Sequence, residues 1–260
     1  MKPGKALVTG AGGRLGQAMA IALAARGYDV AVHYAGSEAG AEETVRACDE
    51  YGVQAAALQA DLLDARATDR LVPRAAEALG GPLTVLINNA SIFEYDRLET
   101  ATAESWDRHL NSNLRAPFFL TQAFAAQAPE AGTEGGEPVA TGLVVNMLDQ
   151  RVWKLTPDFA TYTLAKMGLW ALTRTAAQAL APAVRVNAIG PGPTLRGGRQ
   201  SEAHFARQRQ ATVLKRGSNP EDITAALGYL IDAKAVTGQM IAVDGGQHLG
   251  WETPDILGVE

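Results

Sequence analysis

Ala6-Leu7-Val8-Thr9-Gly10-Ala11-Gly12-Gly13-Arg14-Leu15-Gly16 decides how the rest of the chain is read. A short apolar run enters this stretch, and an alanine-rich segment of helical character, residues 15–26, leaves it. Glycines between a strand and a helix let the backbone turn sharply and approach a pyrophosphate. The helix N-terminus then adds N–H donors and positive dipole. The position of the turn, at the first strand–helix junction, raises it above an ordinary glycine cluster.

Working outward, strand-length apolar runs at residues 29–34, 53–59, 83–87, 142–147, 184–189 and 240–243 alternate with helical patterns at 39–51, 62–79, 102–128, 159–180 and 220–231. Such alternation predicts βαβ units and a parallel sheet. Pro117 is expected to bend the long helix over 102–128. Residues 129–138 are polar, glycine-rich and without period, and read as a mobile surface loop. Residues 196–218 are charged and hold Gly197-Gly198.

The 260 residues are enough for one large α/β domain, and 47% hydrophobic content indicates a packed core. A net charge of -5 offers no footprint for nucleic acid or an anionic membrane. No apolar run nears the ~20 residues that span a bilayer. The N-terminus has no apolar leader, and Cys48 has no partner with which to form a disulfide, so a cytoplasmic location is expected. His33, His109, His204 and His248 lack metal-ligand spacing, so no metal is expected. A Gly-x-Ser-x-Gly nucleophile elbow is also absent.

The chemistry-bearing stretch runs from Asp149 to Lys166. Tyr162 and Lys166 are spaced to share one helix face, and Asp149 ends a strand-like run. A phenol, an ammonium and a carboxylate can therefore converge. At the end of the second strand no acidic residue precedes Glu38, which removes the usual partner of an unphosphorylated ribose. His33, Ser37 and Arg14 are candidate donors to a 2′-phosphate, so NADPH is expected over NADH. Asp61 is placed to accept from the adenine amino group, or to cap the helix after it.

In order and spacing, Thr9-Gly10…Gly16, Asp61, Asn88-Asn89-Ala90, Asn113, Tyr162-x-x-x-Lys166, Asn187, Pro191-Gly192 and Val243-Asp244-Gly245-Gly246 resemble the short-chain dehydrogenase/reductase family over nearly the whole chain. The resemblance implies a single-domain Rossmann fold over residues 1–260: a doubly wound, seven-stranded parallel sheet with helices on both faces, and a substrate loop at about 194–218. It implies that Tyr162 protonates the substrate, that Lys166 holds the nicotinamide ribose and lowers the tyrosine pKa, and that Asn113 holds a water. The cofactor-binding set it implies is Thr9, Gly10, Gly13, Arg14, Leu15, Gly16, His33, Tyr34, Ser37, Asp61, Leu62, Asn89, Ala90, Ser91, Pro191, Gly192 and Thr194, with Tyr162 and Lys166. A homotetramer or dimer, joined through the helices at 102–128 and 159–180 and the C-terminal segment, is also implied.

Where the family usually has a catalytic serine, this chain has Asp149. Asp149, Arg14 in the first turn, His33-Tyr34, Asn89-Ala90-Ser91-Ile92-Phe93 and Asn146-Met147-Leu148-Asp149 are similar to the pteridine reductases, dihydromonapterin-reductase-like members included. The implied substrate is a pterin or related heterocycle, met by Arg14, Ser91, Phe93, Asp149 and Tyr162. Phe93 would stack on one ring face. Gly36 departs from that group, which often has an arginine there. The substrate loop does not specify a substrate, and Trp153, His204 and Phe205 are further candidates to shape the pocket. Two other readings stay open: a ketone, alcohol or sugar-like carbonyl as substrate, and a non-catalytic NADP-binding protein.

Overall fold

Residues 3–198 and 200–252 are described by the computed structural model. They form one α/β domain. Its strands are β1 (Lys5–Val8), β2 (Asp29–Tyr34), β3 (Ala55–Gln59), β4 (Val85–Asn88), β5 (Gly132–Glu134), β6 (Glu137–Val139), β7 (Gly142–Met147), β8 (Val184–Pro191) and β9 (Met240–Val243). Its helices are α1 (Arg14–Ala24), α2 (Glu38–Asp49), α3 (Ala65–Ala78), α4 (Ala103–Leu110), α5 (Ala116–Gln127), α6 (Ala160–Leu180), α7 (Glu202–Gln210) and α8 (Pro220–Asp232).

The main sheet is parallel, seven strands in the order β3-β2-β1-β4-β7-β8-β9. Its strands are apolar because both faces are covered, and alternate residues enter opposite layers. Ala6, Val8, Val30, Val32, Ile87 and Val145 pack with Met19, Leu23, Leu227 and Leu230 on one side. Leu7, Ala31, Leu86, Val144 and Val186 pack with Leu71, Ala75, Leu120 and Phe124 on the other. Each such buried aliphatic side chain contributes about 1.5–3 kcal/mol. The strand order reverses between β1 and β4. Ligands of open α/β sheets bind beyond the strand ends at such a reversal.

Several elements differ from expectation. The presumed loop at 129–138 is an antiparallel hairpin of β5 and β6. Gly135 and Gly136 both have positive φ, which a tight hairpin turn needs, while strands this short show no sequence period. Residues 102–128 are not one α-helix. A π-helical turn, Asn111–Arg115, separates α4 from α5, and Pro117 falls in the first turn of α5. Helix α3 begins at Ala65 because Asp64, rather than Asp61, accepts from the Arg66 N–H as its cap. Within the substrate loop, Ser201 caps α7.

Candidate active site

The glycine turn lies at the β1/β4 reversal. Gly10 has φ 65°, and its N–H donates to His33 Nδ1 at 3.0 Å. A Cβ on Gly16 would lie 2.2 Å from the Gly10 carbonyl oxygen, so only glycine lets α1 approach β1 this closely. Gly13 faces open space, α1 has no acidic residue in its first turn, and Leu15 packs on the core. Thr9 is buried; its hydroxyl donates to the Ile87 carbonyl and accepts from the N–H groups of Asn89 and Ala90. The Asn89 amide donates to the carbonyls of Thr9 and Gly10. Thr9, Asn89 and Ala90 thus brace the crevice floor. Gly192 lies against Asp244, with a virtual Cβ 2.6 Å from its Cα, and Pro191 ends β8. The glycine set, the acid-free helix start and the absence of an acid from the end of β2 fit a phosphorylated dinucleotide.

Several predicted cofactor contacts need correction. His33 is 1% exposed. Its Nδ1 accepts from Gly10, so Nε2 carries the proton and donates to the Ala60 carbonyl at 3.0 Å. Burial lowers its pKa to about 4. His33 is therefore a neutral strut joining β1, β2 and β3, with no donor left for a 2′-phosphate. The Ser37 hydroxyl proton goes to the Gly12 carbonyl, and Tyr34 Oη donates to Glu38. Arg14 remains exposed at the turn, in the left-handed region (φ 54°), with its guanidinium 3.3 Å from the Leu195 carbonyl. It thereby ties the turn to the substrate loop. Asp61 is exposed and accepts from the Leu63 N–H, while the Leu62 side chain is buried in the core. The Thr194 hydroxyl lies against Ser218 and the Gly192 carbonyl.

Tyr162, Asp149 and Lys166 do converge. Tyr162 Oη donates to Asp149 Oδ2 at 3.2 Å, while Asp149 Oδ1 accepts from the Arg151 N–H at 2.8 Å. One carboxylate thus caps the turn after β7 and faces the phenol. Burial first, and then the charge of Asp149, raise the Tyr162 pKa well above its usual value, against smaller lowering by Arg151 and Ser91. The expected lowering of that pKa by Lys166 does not dominate. Lys166 Nζ donates to the Met147 carbonyl at 2.7 Å and sits 5.6 Å from the phenol ring centroid. Burial lowers its pKa to about 8, with Asp149 acting in the opposite direction.

Asn113 is fully buried, and its side-chain amide is committed to Ile92: Nδ2 donates to the carbonyl and Oδ1 accepts from the N–H. A water at Asn113 would have to use its own carbonyl, since Pro117, four residues on, has no N–H to reach it. Phe93 stacks on Phe159, with centroids 4.3 Å apart and planes at 12°, and meets Tyr162 edge-on at 4.7 Å. Arg151 lies 5.2 Å from the Phe159 ring centroid. Ser91 is exposed, and its hydroxyl reaches the Ile92 carbonyl at 3.4 Å. Trp153 packs edge-on against His248, and Phe205 lies under Arg209. His204 serves the α7 cap through its backbone.

Phe159, Asp96 and Arg209 carry structure here that sequence reading did not single out. Arg209 ties the two ends of the substrate loop by donating to the carbonyls of Pro193, Gly217 and Ser218. Its place in a charged run gave no sign of this. Phe159 looked like the first residue of a helix, and its left-handed backbone (φ 59°) has no local sequence cue.

A family model described as enoyl-(acyl carrier protein) reductase matches residues 10–248. The 3-oxoacyl-[acyl-carrier-protein] reductase FabG of Staphylococcus aureus strain Mu50 is 31% identical, covering 94% of this chain and 98% of the relative. Among solved structures, FolM alternative dihydrofolate reductase 1 from Brucella canis, complexed with NADP, superposes with a TM-score of 0.90 at 41% identity, covering 98% of each chain. Its counterpart from Brucella suis, also with NADP, gives 0.89 at 42% identity over 97% of this chain and 98% of that one.

Proposed function

Since the chain belongs to the short-chain dehydrogenase/reductase family and is an NADP-dependent oxidoreductase, we propose that it reduces a C=N bond of a pterin or related heterocycle. The carrying observation is the hydrogen bond from Tyr162 to Asp149 where the family usually places a serine. The likeness to two dihydrofolate reductases of alternative type supports it.

Bound NADPH supplies the hydride. Tyr162 supplies the proton: the O–H bond breaks, an N–H bond forms on the heterocycle, and the adjacent carbon takes the hydride. Asp149 orients the phenol and makes a resting phenolate costly, which favours a proton donor over a base. Lys166 positions the ribose, Asn113 fixes Ile92 between Ser91 and Phe93, and Phe93 offers an aromatic wall beside the phenol. Arg14, beside the substrate loop, is the donor closest to hand for the substrate's oxygen or ring nitrogen.

Purified protein should oxidise NADPH with dihydrobiopterin, dihydromonapterin or dihydrofolate. Tyr162→Phe should cut turnover about 10²–10⁴-fold while NADPH still binds. Absence of turnover with every pterin would sink the proposal. The second reading, a carbonyl substrate, is favoured by the identity to a 3-oxoacyl reductase. It predicts that Asp149→Ser retains or improves carbonyl turnover. We further propose a homotetramer, for which the apolar groove between α5 and α6 gives support. A cytoplasmic location is proposed on the buried, unpaired Cys48.

A further inference from the structure

Helix α6 carries Tyr162 and Lys166, yet its own N-cap position provides no cap. Phe159 stands there with no side-chain acceptor, in a left-handed conformation. The opening N–H groups of a helix need partners, and inside a protein an unmet one is costly. Here they are met from a distant loop. The Asp96 carbonyl accepts from Phe159 N at 2.8 Å and Ala160 N at 3.4 Å, and Asp96 Oδ1 accepts from Thr161 N at 3.2 Å. Asp96 is 65 residues from Thr161 in sequence and 3% exposed.

Its second carboxylate oxygen accepts from the Thr161 hydroxyl and from Ser105 Oγ. The chain of donors continues into α4. His109 Nε2 accepts from the Glu94 N–H at 3.1 Å, so Nδ1 bears the proton and donates to Thr161 Oγ1 at 2.7 Å. Every partner in this buried set lies in the loop after β4, in α4 or at the start of α6. That loop also carries Ser91 and Phe93.

We infer that Asp96 is a positioning residue, acting as a remote N-cap that holds the catalytic helix and the Ser91–Phe93 loop in one register. Tyr162 follows the capped Thr161 directly, and Phe93 lies three residues before Asp96. A shift at Asp96 therefore changes the distance between the proton donor and the aromatic wall. The inference rests on the proposed assignment of Tyr162 and Phe93 to the proton transfer and the heterocycle.

The test uses the full-length protein with Asp96→Ala and the near-isosteric Asp96→Asn, which keeps one side-chain oxygen acceptor. Hydrogen exchange of the unliganded protein reads the register without any substrate. Asp96→Ala should speed exchange in residues 91–97 and 159–163 and leave α2 unchanged, with Asp96→Asn intermediate. With dihydrobiopterin, Asp96→Ala should lower kcat/KM roughly ten-fold or more while NADPH affinity stays within about two-fold. In a Phe93→Ala background, the effect of Asp96→Ala on the pterin KM should shrink to under about two-fold, because the wall it positions is gone. Unchanged exchange in both segments would overturn the inference, as would a loss of NADPH affinity in step with kcat/KM. If Asp96→Ala fails to fold, Asp96→Asn carries the same comparisons. If wild type turns over no pterin, the functional proposal fails and the exchange data still decide for or against the remote cap.

Discussion

Asp149 shows how far a single residue can be read. Its place thirteen residues before Tyr162 was visible in the sequence, and so were its two readings as a turn cap or a partner of the phenol. The fold makes both true, one oxygen for each. The electrostatic consequence was not legible, because it depends on burial. Asp149 raises the pKa of Tyr162, after desolvation, and also opposes the depression of Lys166. Removing its charge acts on both groups in one direction: the tyrosine becomes a stronger acid, and the lysine gives up its proton more readily. Reduction requires a protonated Tyr162 and a charged Lys166. The wild-type rate should therefore fall as pH rises through about 8, where Lys166 loses its proton. In Asp149→Asn that decline should begin at lower pH. A pH profile of kcat/KM from 6 to 10 (roughly the titration range of these groups) reads this directly. A basic limb unmoved or moved upward in Asp149→Asn would contradict the assignment. His33 is the opposite case: a polar residue at the end of β2 suggested a phosphate donor, but the residues that bury it, Gly10 and Ala60, come from other elements.

Elements with a strong period or a steric demand were legible, and those fixed by tertiary partners were not. The seven strands of the main sheet follow from apolar runs that fill two layers. The break between α4 and α5 was visible only as Pro117, and the hairpin at β5–β6 only as Gly135-Gly136. The two kinds of glycine separate experimentally. In Gly16→Ala the added carbon meets the Gly10 carbonyl at 2.2 Å and Asn89 Nδ2 at 2.6 Å, inside the cofactor turn. NADPH affinity should fall by about 10²-fold or more, since displacing this backbone costs several kcal/mol. Gly136→Ala places a side chain at φ 85° on the surface, with nothing within 4 Å. It should cost about 1 kcal/mol of stability and leave NADPH binding unchanged. Fluorescence titration of NADPH alongside urea melts compares the two; equal affinities would refute the part given to Gly16.

At the scale of the whole molecule, the sheet reversal that gathers the site was implied by the order of motifs, but the docking of distant segments was not. Asp96, Asn113 and His109 each pin the loop after β4, and nothing in local spacing announces contacts across so many residues. The same holds for assembly. Alanines along α6 suggested close helix approach, and the structure adds a groove beside them lined by Leu110, Leu114, Phe118, Ala171 and Leu172. Gly168 lets α6 approach the preceding helix, a Cβ there falling 2.6 Å from Leu114 Cδ2. Phe118 and Leu164 are 45% and 52% exposed, which leaves large apolar side chains in water on the two helices proposed to meet a second copy. A pair of helices packed symmetrically against the same pair removes that surface from water. In Ala171→Glu a carboxylate enters the groove on both sides of such a contact, and burying it unpaired costs several kcal/mol. Light scattering of the wild type should give the mass of a tetramer, and Ala171→Glu should shift it to a smaller species while the isolated fold keeps its melting transition. A wild-type monomer, or a variant that assembles as wild type does, would place the contact elsewhere or remove it.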